Sequence, residues 1–164
     1  MRAEFTFEKA VEADALELAL CMRTSDLDEL AVMGDCDPHT AALTSIQRSY
    51  KAVTVRDART RYVVCVYGFA PLVSVGGAAP WMMGTDLLDE AMKANGKQLL
   101  TRGRIIIAAA KMVYPQLWNV VSASNHASIR FLRHLGFEIG PTLLMPSGGY
   151  IRPFRMGLEN NAHV

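Results

Sequence analysis

The chain has 164 residues, 51% of them apolar and 20% charged, which suits a single folded domain with its own core and excludes an intrinsically disordered chain. A formal net charge of +1 excludes a generally basic binder of nucleic acid or anionic membrane. That balance hides an asymmetry, since residues 1–100 hold 10 Lys/Arg against 14 Asp/Glu and residues 101–164 hold 7 against 2. The basic C-terminal third is either a solvated face or a pocket for a phosphorylated ligand.

The opening MRAEFTFEKA is charged and alternates with period two, as a strand does and a signal peptide does not. Residues 11–33 read as one helix with Val11, Ala15, Leu18 and Met22 on a common face, stopping at Gly34. Asp37 and Pro38 supply an N-cap and first-turn proline for a second helix, HTAALTSIQRSY. AVTV, YVVCVYG, LVSV and WMMG then read as a meander of short strands, with FAP and VGGAAP as turns. Residues 86–100 are helix-permissive but interrupted at Asn95-Gly96. IIIAAAKMV, apolar almost all round, predicts a largely buried helix ending before Pro115. WNVVSAS is a strand, residues 125–135 a helix capped by Asn125 and ended by Gly136, and EIGPTLL and YIRPFRM two closing strands around the turn at 146–149.

The order is strand, two helices, a run of strands, helix, strand, helix, two strands. It predicts one domain over residues 1–158 with a C-terminal tail at 159–164. The fold class is α/β, a single mixed and largely antiparallel sheet with helices on both faces. Three cysteines, Cys21, Cys36 and Cys65, share no ligand or redox spacing, so a reducing compartment is expected. No run of about 18 apolar residues occurs, and no membrane insertion is expected. Neither a metal site nor a strong nucleic-acid signal is visible.

This order, with N-x-x-S-I-R-F-L-x-x-L-G-F near its end, resembles the GNAT superfamily of acyl-CoA-dependent N-acetyltransferases. The resemblance implies that the helix after the fourth strand meets the cofactor diphosphate through a Q/R-x-x-G-x-G/A loop. Thr101-Arg102-Gly103-Arg104 takes that place here, with one glycine of two. Asn125 and Ser128, opening the last helix, are implied to face the cofactor arm. A narrower resemblance, carried by YGF at 67–69, Gly76-Gly77, LWN at 117–119 and N-x-x-S-I-R-F-L, is to an internal virion protein family of short-tailed bacteriophages built on the same fold. It implies a role in virion assembly or DNA ejection, other virion proteins as partners, and a location in the virion interior or the host cytoplasm.

Acyl transfer to an amine needs a base for the amine, donors for the developing oxyanion and an acid for the leaving thiolate. The family's acid, a tyrosine on the last helix, falls on Leu132, and His126 and His134 are placed as surface residues. Asp86 and Glu90 are weak candidates for the base, so no catalytic residue is identified. The resulting expectation is an acetyltransferase-like virion protein with a degenerate acyl-CoA cleft. The alternative is an active enzyme using acetyl-CoA on a host or phage protein. A partner surface near residues 81–83 or 150–154 is a third possibility.

Overall fold

The computed structural model describes residues 4–34 and 37–157, so Cys36 and the tail at 159–164 lie outside the described residues. Strand β1 (Phe5–Lys9) pairs antiparallel with β2 (Val53–Asp57). Between them run α1 (Glu12–Leu20), α2 (Thr24–Gly34) and α3 (Pro38–Arg48). The single helix predicted over 11–33 is therefore two. Met22 makes an isolated bridge to Thr85 and the Arg23 N–H donates to the Gly84 carbonyl at 3.0 Å. These bonds draw residues 21–23 out of the helical ladder and turn α2 along the sheet. The third helix starts as its sequence dictates, with the Asp37 carboxylate accepting from the Thr40 N–H at 2.9 Å ahead of Pro38.

β3 (Val63–Leu72) and β4 (Gly77–Gly84) form a hairpin that absorbs both FAP and GAAP into strands. The strand predicted at LVSV is instead a 3-10 turn over Val73–Val75, closed by Gly76 at φ 64. Val73 stands 91% exposed there, so its β-propensity has no partner strand or buried face to act on. Helix α4 (Asp86–Val113) then crosses back to β5 (Leu117–Ser122), which runs parallel to β4. Parallel neighbours require such a crossover. Helix α5 (His126–Leu135), β6 (Glu138–Ile139), β7 (Leu143–Leu144) and β8 (Tyr150–Met156) complete an eight-stranded sheet ordered β1-β2-β3-β4-β5-β8-β6, with β7 also on β8.

The predicted class holds: a mixed, largely antiparallel sheet with helices on both faces. Leu18 of α1 and Ala42 of α3 pack with Val66 on one face. On the other, Ile107 of α4 and Ile129 of α5 meet Leu117, Val121, Phe137 and Phe154, the last two edge-on with ring centroids 5.2 Å apart. The first half of α4 adds a cluster of Leu88 and Ala91 with Val55 and Cys65.

The expected interruption at Asn95-Gly96 is there: Asn95 leaves the helical region (φ −134, ψ 23), so α4 is two helical segments joined at a kink. The apolar stretch, by contrast, is not largely buried: Ile107 and Ala110 are, whereas Ile105, Met112 and Val113 are exposed. A helix lying on a sheet covers only the stripe that faces it.

Candidate functional site at a parted sheet

Strands β4 and β5 are in register only at Ala78 and Leu117, and then diverge. Parting strands expose N–H and C=O groups that must find other partners. Asn119 supplies the first set, its Nδ2 donating to the Pro80 carbonyl at 2.9 Å while its Oδ1 accepts from the Val120 N–H at 2.8 Å. Farther on, the Ser122 N–H donates to Glu29 Oε1 of α2 at 2.5 Å, and the Gly84 N–H to Asp26 Oδ2 at 2.7 Å. Backbone groups alternate sides along a strand. Met82, midway between Pro80 and Gly84, therefore turns its amide and carbonyl into the gap.

A cavity of about 350 Å³ is lined through this gap by residues from both faces. Glu29, Leu30, Met33, Ser45, Trp81 and Met83 line it on the side of α1–α3. Tyr67, Met82, Arg102, Gly103, Ser128 and Leu132 line it on the side of α4 and α5. Two ligands approaching from opposite faces could thus meet at the Met82 backbone.

The charges in and around the cavity differ sharply in how they are satisfied. Arg23, buried, binds Asp26 through Nε at 2.9 Å and Nη2 at 3.0 Å, and Asp89 through Nη1 at 3.0 Å. Glu29 has only the Ser122 N–H; burial pushes its carboxyl up to about 7, helped by the Asp26 charge and opposed by that N–H and by Arg23. Such a carboxylate can exchange a proton near neutrality. Burial likewise pushes the Tyr67 phenol up to about 12, so it stays a proton donor at neutral pH. The Cys65 thiol, also pushed up to about 12 by burial, is an inert core group.

The six candidate cofactor residues fare unevenly. Thr101, Arg102, Gly103 and Arg104 form no loop: all four lie inside α4, where their amides belong to the helical ladder. The Thr101 hydroxyl donates to the Lys97 carbonyl at 3.0 Å. Arg104 donates to the His134 carbonyl from Nε at 3.1 Å and Nη2 at 3.0 Å, tying α4 to the end of α5. Gly103 is a packing glycine, since a Cβ on it would stand 2.8 Å from Leu135 Cδ2. Arg102 lays its guanidinium over the Phe7 ring, 3.6 Å from the centroid. Asn125 caps α5, its Oδ1 accepting from the Ser128 N–H at 3.2 Å, yet its Nδ2 is buried with no hydrogen-bond partner.

The remaining arginines do not pool into one phosphate pocket. Arg152 donates to the Gly140 carbonyl at 2.9 Å, and Arg155 pairs with Glu138 at 3.0 Å. Asp86 and Glu90 are exposed near the start of α4 and do not line the cavity. His126 and His134 are surface residues, as expected; of the two stretches named as partner surfaces, Trp81 and Met83 line the cavity and Tyr150 is exposed. Among the described residues no three His, Cys, Asp or Glu side chains gather as a metal site would require.

Sequence reasoning missed Glu29, Tyr67 and Asn119 as site residues. Only Tyr67 and Asn119 carried a signal, within YGF and LWN. Glu29 sits in an ordinary acidic helix, and nothing in one dimension separates it from Asp28.

No protein-family model matches the sequence, and no curated protein matches it. Solved structures do match. An N-acetyltransferase from Staphylococcus aureus Mu50 superposes with a TM-score of 0.66 at 16% identity, covering 94% of this chain and 98% of its own. A GNAT-family acetyltransferase from Bacillus anthracis gives 0.64 at 12%, covering 95% and 96%. Spermidine N-acetyltransferase from Vibrio cholerae, solved with CoA and spermine, gives 0.64 at 8%, covering 93% and 94%. These neighbours support the broader of the two resemblances and lend nothing to the narrower, phage one: the chain has the fold of the GNAT acetyltransferases.

Proposed function

We propose that this chain is an acyl-CoA-dependent N-acyltransferase, taking acyl-CoA from the α4–α5 side of the gap and an amine from the α1–α3 side. The observation that carries the reading is Asn125 Nδ2, a donor on a residue only 7% exposed, held rigidly by its own cap and lacking a partner. An unpaired buried donor costs about 1–3 kcal/mol, so a ligand carbonyl meeting it recovers that cost. Bound acyl-CoA would supply an activated acyl thioester. Toward it the cavity wall offers the Met82 backbone for amide and carbonyl groups, Tyr67 as a protonated O–H, and Arg102 with Ser128, while Asn125, which does not itself line the cavity, stands at the start of α5 one turn before Ser128. The diphosphate would be met by side chains, because the amides of residues 101–104 are already engaged within α4.

Calorimetry with acetyl-CoA tests this. Asn125→Asp keeps the oxygen that caps α5 but replaces the donor with an acceptor. It is expected to fold normally and to bind acetyl-CoA at least tenfold more weakly. Wild-type protein that fails to bind acetyl-CoA would refute the reading.

A second reading, an internal virion protein whose cleft has lost its chemistry, draws support from Leu132 at the acid position and from a TRGR segment that lies within a helix. It puts the chain inside the particle or in the host cytoplasm, among other virion proteins. Mass spectrometry of mature particles that contain the chain, coupled with absent acetyl-CoA binding, would favour it over the enzyme.

A further inference from the structure

The cavity contains one acidic group with no cationic partner. Asp26 is engaged by two bonds from Arg23 and one from the Gly84 N–H, and Asp89 by the third arm of Arg23. Glu29, one helical turn beyond Asp26, pairs with no cation among the described residues and holds only the Ser122 N–H, through one of its two oxygens. The wall around it is apolar: Leu30 and Met33 from its own helix, Trp81 and Met83 from β4. The Trp81 indole N–H is already used, donating to Ser49 Oγ at 2.8 Å, so this residue adds apolar surface to the wall and no free polar group.

A lone carboxylate above an apolar wall, on the face opposite Asn125 and Arg102, matches one ligand chemistry. An ammonium group meets the carboxylate, and an uncharged body covers Leu30, Met33, Trp81 and Met83. A second cation on the ligand would find Asp26 already taken.

We propose that Glu29 receives the acceptor and takes its proton, and that the acceptor is a primary monoamine on an apolar body, not a polyamine. This rests on the acyltransferase reading and deepens it. The proton passes from the ammonium nitrogen to a Glu29 oxygen; the N–H bond breaks, the O–H bond forms, and the nitrogen keeps the electron pair as a neutral amine. The groups acting on Glu29 are Asp26 and Arg23, at the start of the same helix, and the Ser122 N–H of β5. The β4 and α3 side chains that line the cavity here, Trp81, Met83 and Ser45, carry no charge. A carboxyl that titrates near neutrality in this setting is half-ionised where a base is most useful.

The test is calorimetric titration of the full chain with 2-phenylethylamine and with spermidine, at pH 6 and pH 8, with and without CoA. Wild-type protein is expected to bind 2-phenylethylamine more tightly than spermidine, and close to tenfold more tightly at pH 8 than at pH 6, following the ionised fraction of a carboxyl near 7. Glu29→Gln retains an oxygen for the Ser122 N–H, so a purely structural role would survive it. The variant is expected to keep its urea midpoint at pH 4, where Glu29 is protonated in both the folded and the unfolded chain, to bind 2-phenylethylamine at least tenfold more weakly at pH 8, and to lose the pH dependence. Equal binding by wild type and variant, tighter binding of spermidine, or no 2-phenylethylamine binding with or without CoA would each overturn the proposal. Acetyl-CoA titrated into the same two proteins separates the readings: its failure to bind wild type counts against the acyltransferase, whereas the amine titrations decide the role of Glu29.

Discussion

Asp26 and Glu29 stand a turn apart on α2, and the difference between them is one of partners. Asp26 is neutralised by Arg23, while Glu29 must carry its charge against the pull of burial. Because its folded-state value lies above the ordinary 4.5, the carboxyl costs the fold nothing below that pH. As pH rises from 4.5 to about 7 the unfolded chain releases its proton first and stability falls; above 7 the cost is complete. The shift corresponds to roughly 3 kcal/mol at most, an upper bound because the group is partly hydrated. Glu29→Gln should therefore stabilise the protein at pH 8, by up to roughly 3 kcal/mol, and have no effect near pH 4. Urea unfolding at the two pH values measures this, and equal stability at pH 8 would show that the charge is better solvated than its burial implies. A site that loses stability in its functional form is the usual signature of a group kept for its chemistry. Cys65 gives the opposite case, a thiol that burial removes from reactivity. Alkylation of the native protein should modify exposed Cys21 and spare Cys65, as peptide mapping would report.

At the scale of elements, α5 follows its sequence closely. Asn125 starts it, Ile129, Leu132 and Leu135 dock it, and Gly136 at φ 100 ends it with the Phe137 N–H returned to the Leu132 carbonyl at 3.0 Å. Local signals sufficed because each acts within a turn of the helix. Helix α4 is different. The break signal at Asn95-Gly96 is obeyed, as a kink between two helical segments, and Leu88, Ala91, Met92 and Leu99 from both segments still pack into one cluster on β2 and β3, whereas the signal in TRGR is not obeyed. Gly103 then reads as a contact between helices and not as a phosphate turn. Gly103→Ala should displace only Leu135 Cδ2, the free end of a flexible side chain, a cost offset by the roughly 1 kcal/mol that alanine gains over glycine within a helix, so the urea midpoint should move little and acetyl-CoA affinity should stay unchanged. Weakened acetyl-CoA binding would instead restore the glycine to the cofactor site.

For the whole molecule, the decisive feature is a sheet that parts in its middle. Asn119 and Glu29 satisfy the edges so created, and the helices on the two faces enclose a cavity reached from both. A ligand that fills it links the halves and must stabilise the whole fold by mass action. Acetyl-CoA at a hundred times its dissociation constant should add about 2.7 kcal/mol of stability, visible as a rise in thermal midpoint. The absence of any rise at that saturation would separate binding from folding and weaken the idea of a shared cavity.

The class of the fold, the order of most elements and the caps of α3 and α5 were legible in the sequence. Those features depend on periodicity and on contacts within a few residues, which are written locally. Tertiary contacts alone put TRGR inside a helix, broke the 11–33 helix to bond the end of β4, and set Glu29 on a cavity wall against an amide 93 residues away in the chain. Those outcomes depend on which strands part and which side chains fill the gap. Burial and long-range pairing set them, and neither is a property of any short stretch of chain.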